Sequence, residues 1–260
     1  MESDPLTRLK AKLRARELVL GMQHSSGSPA VIELLGRCGF DFVILDMEHT
    51  AYSIALVEDL VRAAEAVGLV ALVRVLHGDA HLIMQALDTG APGVLVPHIR
   101  TRAECEAVMA AKRFQPLGVR GKTSASRAAG WGTREWSEYE QWANEETLLV
   151  PIIEDREAVG ALEEILSVPG LELVAVGPGD LSQSYGEPQR GLRARPVMEA
   201  LERTIAYCEP RGIGVMTIPA PDMSAELVRE LVRKGARVIW YGGDLNHVGE
   251  HFRRLSAAVL

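Results

Sequence analysis

The segment FDFVILDMEHT, residues 40–50, runs through the apolar stretch Phe42 to Leu45 and ends abruptly in Asp46, Glu48 and His49. Two carboxylates and an imidazole at the end of a buried run are suited to proton transfer or to holding a cation. Similar endings recur along the chain. Arg74 follows Val70–Val73, and Pro97 and His98 follow Gly93–Val96. Glu154 closes Thr147–Ile153, GPGD at 177–180 closes Leu171–Val176, and GGD at 242–244 closes Val238–Tyr241. Glu154 and Asp180 form the sharpest pair. Hard divalent cations take a few carboxylates and leave their other positions to water and substrate oxygens. The plainer reading has Asp180 capping a helix that starts near Leu181 and Glu154 in solvent. The amides of GPGDLS, Gly179 among them, open a helix and can hold a substrate carboxylate.

Arg74 after four apolar residues needs an anion, either Asp46 or a developing oxyanion. His49 can serve as a general base or stand as a structural histidine. Asp88 ends the helical pattern HLIMQALD, where the helix dipole disfavours a carboxylate. It therefore calls for a compensating partner, and an orienting contact to a histidine is one such arrangement; a solvated end is the other. His98 reads as a pocket wall. Lys122 and Arg127 are loop charges or contacts for an anionic substrate tail. Ser124 and Ser126 have no neighbouring base in sequence, which argues against a serine hydrolase.

The elements that must bring these groups together are eight short apolar runs: 18–22, 42–45, 70–75, 93–96, 147–153, 171–176, 214–217 and 238–241. Helical patterns near 29–37, 53–67, 80–89, 102–113, 156–167, 196–210, 223–234 and 245–258 follow them. Runs apolar on both faces are those of a buried parallel sheet. Eight strand–helix units predict a single (β/α)8 TIM barrel over residues 1–260, whose functional groups gather at the C-terminal strand ends. An open doubly wound sheet is the alternative, but no GxGxxG follows the first run. Segments 114–132 and 183–195 are long, glycine- and arginine-containing connections of the kind that carry function.

Composition narrows the partners. A net charge of −7 offers no basic surplus for nucleic acid or an anionic membrane. Three widely spaced cysteines, Cys38, Cys105 and Cys208, without a CxxC fit a reduced cytoplasmic chain. The start, MESDPLTRLKAKLRARELVLG, is not a signal peptide. No apolar run reaches the ~18 residues of a membrane span.

The stretches GFDFVILDMEH (39–49), LVRV (72–75), ALDTGAPGVLVP (86–97), RFQPLGVRG (113–121), VPIIEDREA (150–158) and VGPGDLS (176–182) occur in an order that resembles the HpcH/HpaI aldolases. These are metal-dependent class II pyruvate aldolases, and the likeness covers roughly residues 18–250. The resemblance implies a (β/α)8 barrel assembled as a homohexamer with the eighth helix exchanged between subunits. It implies a divalent metal, Mg²⁺, Mn²⁺ or Co²⁺, on Glu154 and Asp180, chelated by a 2-oxo acid that reacts with an aldehyde. It implies Arg74 as the enolate stabiliser, a His49–Asp88 acid/base dyad, and Asp46 as a further catalytic aspartate. Many members carry Gln at the position of Ile152 and Met at that of His98. The 121–129 loop, GKTSASRAA with Ser124, also departs from the family pattern. Ile152, His98 and this loop are therefore expected to shape the acceptor pocket. A citramalyl- or malyl-CoA-type lyase would need a basic cluster for the CoA phosphates that the chain lacks. A non-catalytic 2-oxo-acid-binding barrel would not need an acid/base dyad.

Overall fold

In a computed structural model, which describes residues 4–260, eight parallel strands close on themselves in sequence order. They are β1 (Val19–His24), β2 (Phe42–Asp46), β3 (Val70–Arg74), β4 (Gly93–Val96), β5 (Leu148–Ile153), β6 (Leu173–Val176), β7 (Gly214–Thr217) and β8 (Val238–Gly243). The predicted TIM barrel is present, and β1 pairing with β8 excludes the open sheet.

Strand alternation divides the apolar residues into two shells. Val19, Phe42, Ile44, Val70, Leu72, Leu95, Leu148, Val150, Ile152, Leu173, Met216, Val238 and Trp240 fill the barrel interior. Val43, Leu45, Val73, Val94, Val96, Leu149, Ile153, Val174, Val215 and Ile239 face the surrounding helices. The interior is packed solid: a Cβ at Gly21 would lie 2.3 Å from the Phe42 ring, so only glycine lets that ring fill the barrel. Each such fully buried side chain contributes about 1.5–3 kcal/mol. With the interior filled this way, the polar residues at the strand ends have one place to go, the open C-terminal mouth.

The long helices between consecutive strands return the chain antiparallel to them, so a helix such as Ala80–Asp88 ends at the opposite, N-terminal rim. The helices include α1 (Pro5–Arg14), α2 (Pro29–Arg37), α3 (Ile54–Ala66), α4 (Ala80–Asp88), α5 (Arg102–Ala111), α6 (Trp136–Glu146), α7 (Arg156–Gly160), α8 (Leu162–Leu166), α9 (Pro178–Ser184), α10 (Arg195–Cys208), α11 (Ala225–Lys234) and α12 (Asp244–Val259). Local chemistry fixes their ends. Asp79 accepts from His81 N and Leu82 N at the start of α4, a Thr101–Glu104 capping box opens α5, and left-handed Gly235 closes α11.

The structure differs from the sequence-based elements in particular places. The helix expected over 156–167 is two short helices, broken at Ala161 (φ −105°, ψ 19°). Helices α1 and α6 are not among the expected segments, whereas α9 is the helix expected at GPGDLS, starting at Pro178 rather than near Leu181. Helix α1 begins at the Asp4 cap and Pro5, and its Leu6 and Leu9 join the interior cluster. Met1–Ser3, the start of the expected domain and of the segment read as lacking a signal, lie outside the described residues. No helix of the described residues is long and apolar enough to cross a membrane.

Candidate active site

Alternation along β2 sends Phe42, Ile44 and Asp46 inward, and along β3 Val70, Leu72 and Arg74. The register pairs Asp46 with Arg74 on neighbouring strands. Arg74 donates from Nε to Asp46 Oδ1 at 2.8 Å and from Nη2 to Oδ2 at 2.6 Å, a bidentate pair buried on both sides. Asp46 Oδ1 also accepts from Glu48 N at 3.0 Å and His49 N at 3.3 Å, which folds the turn after β2 back over the mouth. Gln23 Nε2 donates to Oδ2 at 2.8 Å. Every face of the Asp46 carboxylate is thus engaged, so its chemistry is to orient Arg74 and the 46–50 turn. Beneath the guanidinium lies Trp240, its ring centroid 5.1 Å from Arg74 Cζ. The remaining nitrogen, Nη1, points toward Glu48 Oε2 at 3.3 Å.

Glu48 stands among basic side chains. His49 Nε2 is 3.6 Å and His98 Nε2 3.7 Å from its carboxylate. Burial raises the Glu48 pKa, with Arg74 working against that rise. His49 itself is 60% exposed at the mouth, which leaves its ring open to an incoming molecule.

Glu154 follows β5 and is 3% exposed, with Oε1 accepting from His98 N at 2.8 Å. His98 adopts φ 55°, a left-handed conformation that costs of the order of 1–3 kcal/mol outside glycine and is stored at functional sites. Its ring is tied to Asp155 Oδ2 at 3.1 Å, and Arg100 Nε approaches the same oxygen at 3.0 Å. Burial works against a charge on His98, but Glu154 and Asp155, then Glu48, outweigh it and raise its pKa. Burial also pushes Glu154 up to about 7. The His98 amide and ring oppose this shift, whereas the charges of Asp180 and Glu48 add to it. Gly177 leaves room for this carboxylate: a Cβ there would stand 2.7 Å from Glu154 Oε2. Asp180 sits exposed in the first turn of α9 and has no hydrogen bond among the described residues. Asp180 lies near enough for its charge to raise the Glu154 pKa, and two such carboxylates suit a hard divalent ion. Among the described residues no cluster of three or more His, Cys, Asp or Glu side chains is grouped for a metal. The pair would therefore bind as an open two-carboxylate site with positions left for substrate.

Three expected site residues lie elsewhere. Asp88 ends α4 at the N-terminal rim, where it accepts from Arg120 Nη2 at 2.6 Å; that guanidinium also reaches the Tyr139 hydroxyl at 3.0 Å. It has the compensating partner its helix position demands, but the partner is Arg120. Within one chain His49 and Asp88 occupy opposite ends of the barrel, because a helix C-terminus and a strand C-terminus lie at opposite rims. Ser124 is exposed in a loop docked away from the mouth: Arg127 Nη1 donates to Thr89 O at 2.8 Å and to Glu65 at 3.1 Å, and Ala128 N donates to Asp88 O. Lys122 lies over the Trp136 ring in that same loop. Ile152 is 1% exposed, inside the barrel one inward position below Glu154. Gly179 is exposed beside Asp180.

A closed parallel barrel with an arginine, a carboxylate pair and a helix N-terminus at its C-terminal mouth has its polar groups where barrel enzymes carry their active sites. Residues 20–250 match the family model for HpcH/HpaI aldolase/citrate lyase, and the chain belongs to that family. A hydroxypyruvate/pyruvate aldolase of Sagittula stellata is 36% identical over 75% of this chain and 76% of its own. A 2-dehydro-3,6-dideoxy-6-sulfogluconate aldolase of Pseudomonas putida is 32% identical over 86% of this chain and 85% of its own. A solved family member from Burkholderia cenocepacia superposes with a TM-score of 0.89 at 29% identity, covering 97% of this chain and 98% of that one. The protein is an enzyme of the aldolase kind, a carbon–carbon lyase.

Proposed function

We propose that this enzyme enolises a short 2-oxo acid, pyruvate or hydroxypyruvate, and joins the enolate to an aldehyde or releases it from one. The observation that carries the reading is Arg74, whose Nε and Nη2 are held by Asp46 while Nη1 is left to Glu48 Oε2 at 3.3 Å, a contact that an enolate oxygen can replace. Glu154 and Asp180 would hold a divalent cation, Mg²⁺, Mn²⁺ or Co²⁺, which when bound draws charge from the donor's keto group and makes its α-protons acidic. Arg74 Nη1 supplies the preorganised positive charge for the enolate oxygen. The amide of Gly179 and its neighbours at the start of α9 suit the donor carboxylate. His49, exposed at the mouth, is placed to take or return the proton at the acceptor oxygen. Pairing of His49 with Asp88 requires two copies of the chain, since one chain holds them at opposite rims. That requirement and the apolar face of α12 support a homo-oligomer, a hexamer by family likeness. Free Cys38, Cys105 and Cys208 suit a reducing cytoplasm.

The aldehyde partner is sought by incubating the metal-loaded enzyme with pyruvate or hydroxypyruvate and a panel of aldehydes, with products read by mass spectrometry. The expected result is adduct mass equal to donor plus aldehyde, dependent on metal. Consumption of CoA esters in place of any aldehyde would move the assignment to a CoA-ester lyase.

A further inference from the structure

We propose that Gln23 and Trp240 are positioning residues that set the orientation of Arg74 for the enolisation step. They come from β1 and β8, the two strands that close the barrel. Both face inward by strand alternation, Gln23 two residues after Gly21 and Trp240 two after Val238.

Trp240 is 4% exposed and covers one face of the guanidinium at 5.1 Å, the distance of a cation–π contact. Asp46 fixes the guanidinium in its own plane through Nε and Nη2. An in-plane clamp alone permits the pair to tilt together about the Asp46 side chain. Gln23 opposes that motion, since its Nε2 donates to Asp46 Oδ2 at 2.8 Å and to Ser25 Oγ at 3.2 Å. The guanidinium is left with the face away from Trp240 and with Nη1, which neither Asp46 nor Trp240 holds and which lies 3.3 Å from Glu48 Oε2. An oxyanion stabiliser works by being fixed before charge develops, so residues that remove its freedom act on the transition state rather than on ground-state binding.

The inference rests on the proposed donor chemistry, and the test separates the two. The metal-loaded enzyme is compared with Gln23→Met, Trp240→Leu and Trp240→Phe, following exchange of pyruvate α-protons with D₂O. In Gln23→Met and Trp240→Leu, kcat for exchange should fall about tenfold while KM for pyruvate stays within about threefold, as expected when a transition-state contact worth about 1.4 kcal/mol is lost. Trp240→Phe keeps a π face and should recover most of the rate lost in Trp240→Leu, at similar thermal stability. A second readout needs no turnover. In protein with ¹⁵N-labelled arginine, the Nε–H resonance of Arg74, assigned by its loss in Arg74→Lys, should carry a ring-current shift. That shift should be present in the wild type and Trp240→Phe and absent in Trp240→Leu. Equal exchange by all three variants and the wild type, or equal losses in Phe and Leu that track stability, would overturn the positioning role. Absence of exchange in the wild type would overturn the donor assignment instead, and the Arg74 resonance would still decide the contact.

Discussion

At the scale of single residues, Glu154 carries an electrostatic cost that a cation would relieve. Its pKa near 7 means that metal must displace a proton below that pH, so metal affinity should rise between pH 6 and 8. In metal-free protein the folded state binds the Glu154 proton more tightly than the unfolded chain does. The stability gained from that proton is complete below the ordinary carboxylate value and is lost as pH climbs to about 7. Thermal unfolding of the chelator-treated enzyme should therefore occur at lower temperature at pH 8 than at pH 5, with Mg²⁺ or Mn²⁺ restoring the difference. Glu154→Gln should abolish both the metal response and turnover while flattening the pH dependence. A metal-free enzyme equally stable at both pH values would contradict the account of this carboxylate.

Elements place these residues, and one glycine shows how narrowly. Gly177 lies where β6 turns into α9, with the Glu154 carboxylate occupying the space of its missing Cβ. Gly177→Ala should push Glu154 aside and weaken metal binding at least tenfold, with a stability loss of only about 1–2 kcal/mol, both measurable by calorimetry. Tenfold is the least expected from moving a ligand out of position. Unchanged metal affinity would mean that Glu154 does not depend on that space. Strand ends were the most legible feature of the sequence, because a run apolar on both faces that stops at a charge fixes both the strand and its functional rim. Asp46, Arg74, Glu154 and Asp180 were found that way. Helices α1 and α6 escaped because their apolar positions are sparse among charges: Leu6, Leu9 and Leu13 in one, Tyr139 and Ala143 in the other. Gln23 and Trp240 carry no motif, and only the inward parity of β1 and β8 could have singled them out. The Asp88–Arg120 contact joins residues 32 apart through a loop whose path no local pattern specifies.

The whole molecule leaves α12 with Leu245, Val248, Phe252, Leu255 and Val259 exposed along it. Exposed apolar faces of this kind mark sites of association, and the proposed homo-oligomer predicts that this face is covered by a second copy of the chain. Phe252→Glu should shift sedimentation toward smaller species and lower activity, whereas an unchanged oligomer would place the interface elsewhere. If His49 and Asp88 work together between copies, inactive His49→Ala and Asp88→Ala proteins should regain activity when unfolded and reassembled as a mixture. Failure of mixed assemblies to recover would separate the two residues functionally. The central claim is that Arg74 and the metal site, with a base at the mouth to take the α-proton, enolise a 2-oxo acid, whatever aldehyde follows. Its most direct test is the proton NMR signal of the pyruvate methyl group, or the hydroxypyruvate methylene, in D₂O with enzyme, metal and no aldehyde. The signal should decay with metal present, persist after chelation, and decay far more slowly in Arg74→Lys, whose compact ammonium lacks the guanidinium's fixed donors. A signal from both donors that persists in the metal-loaded wild type would contradict the account.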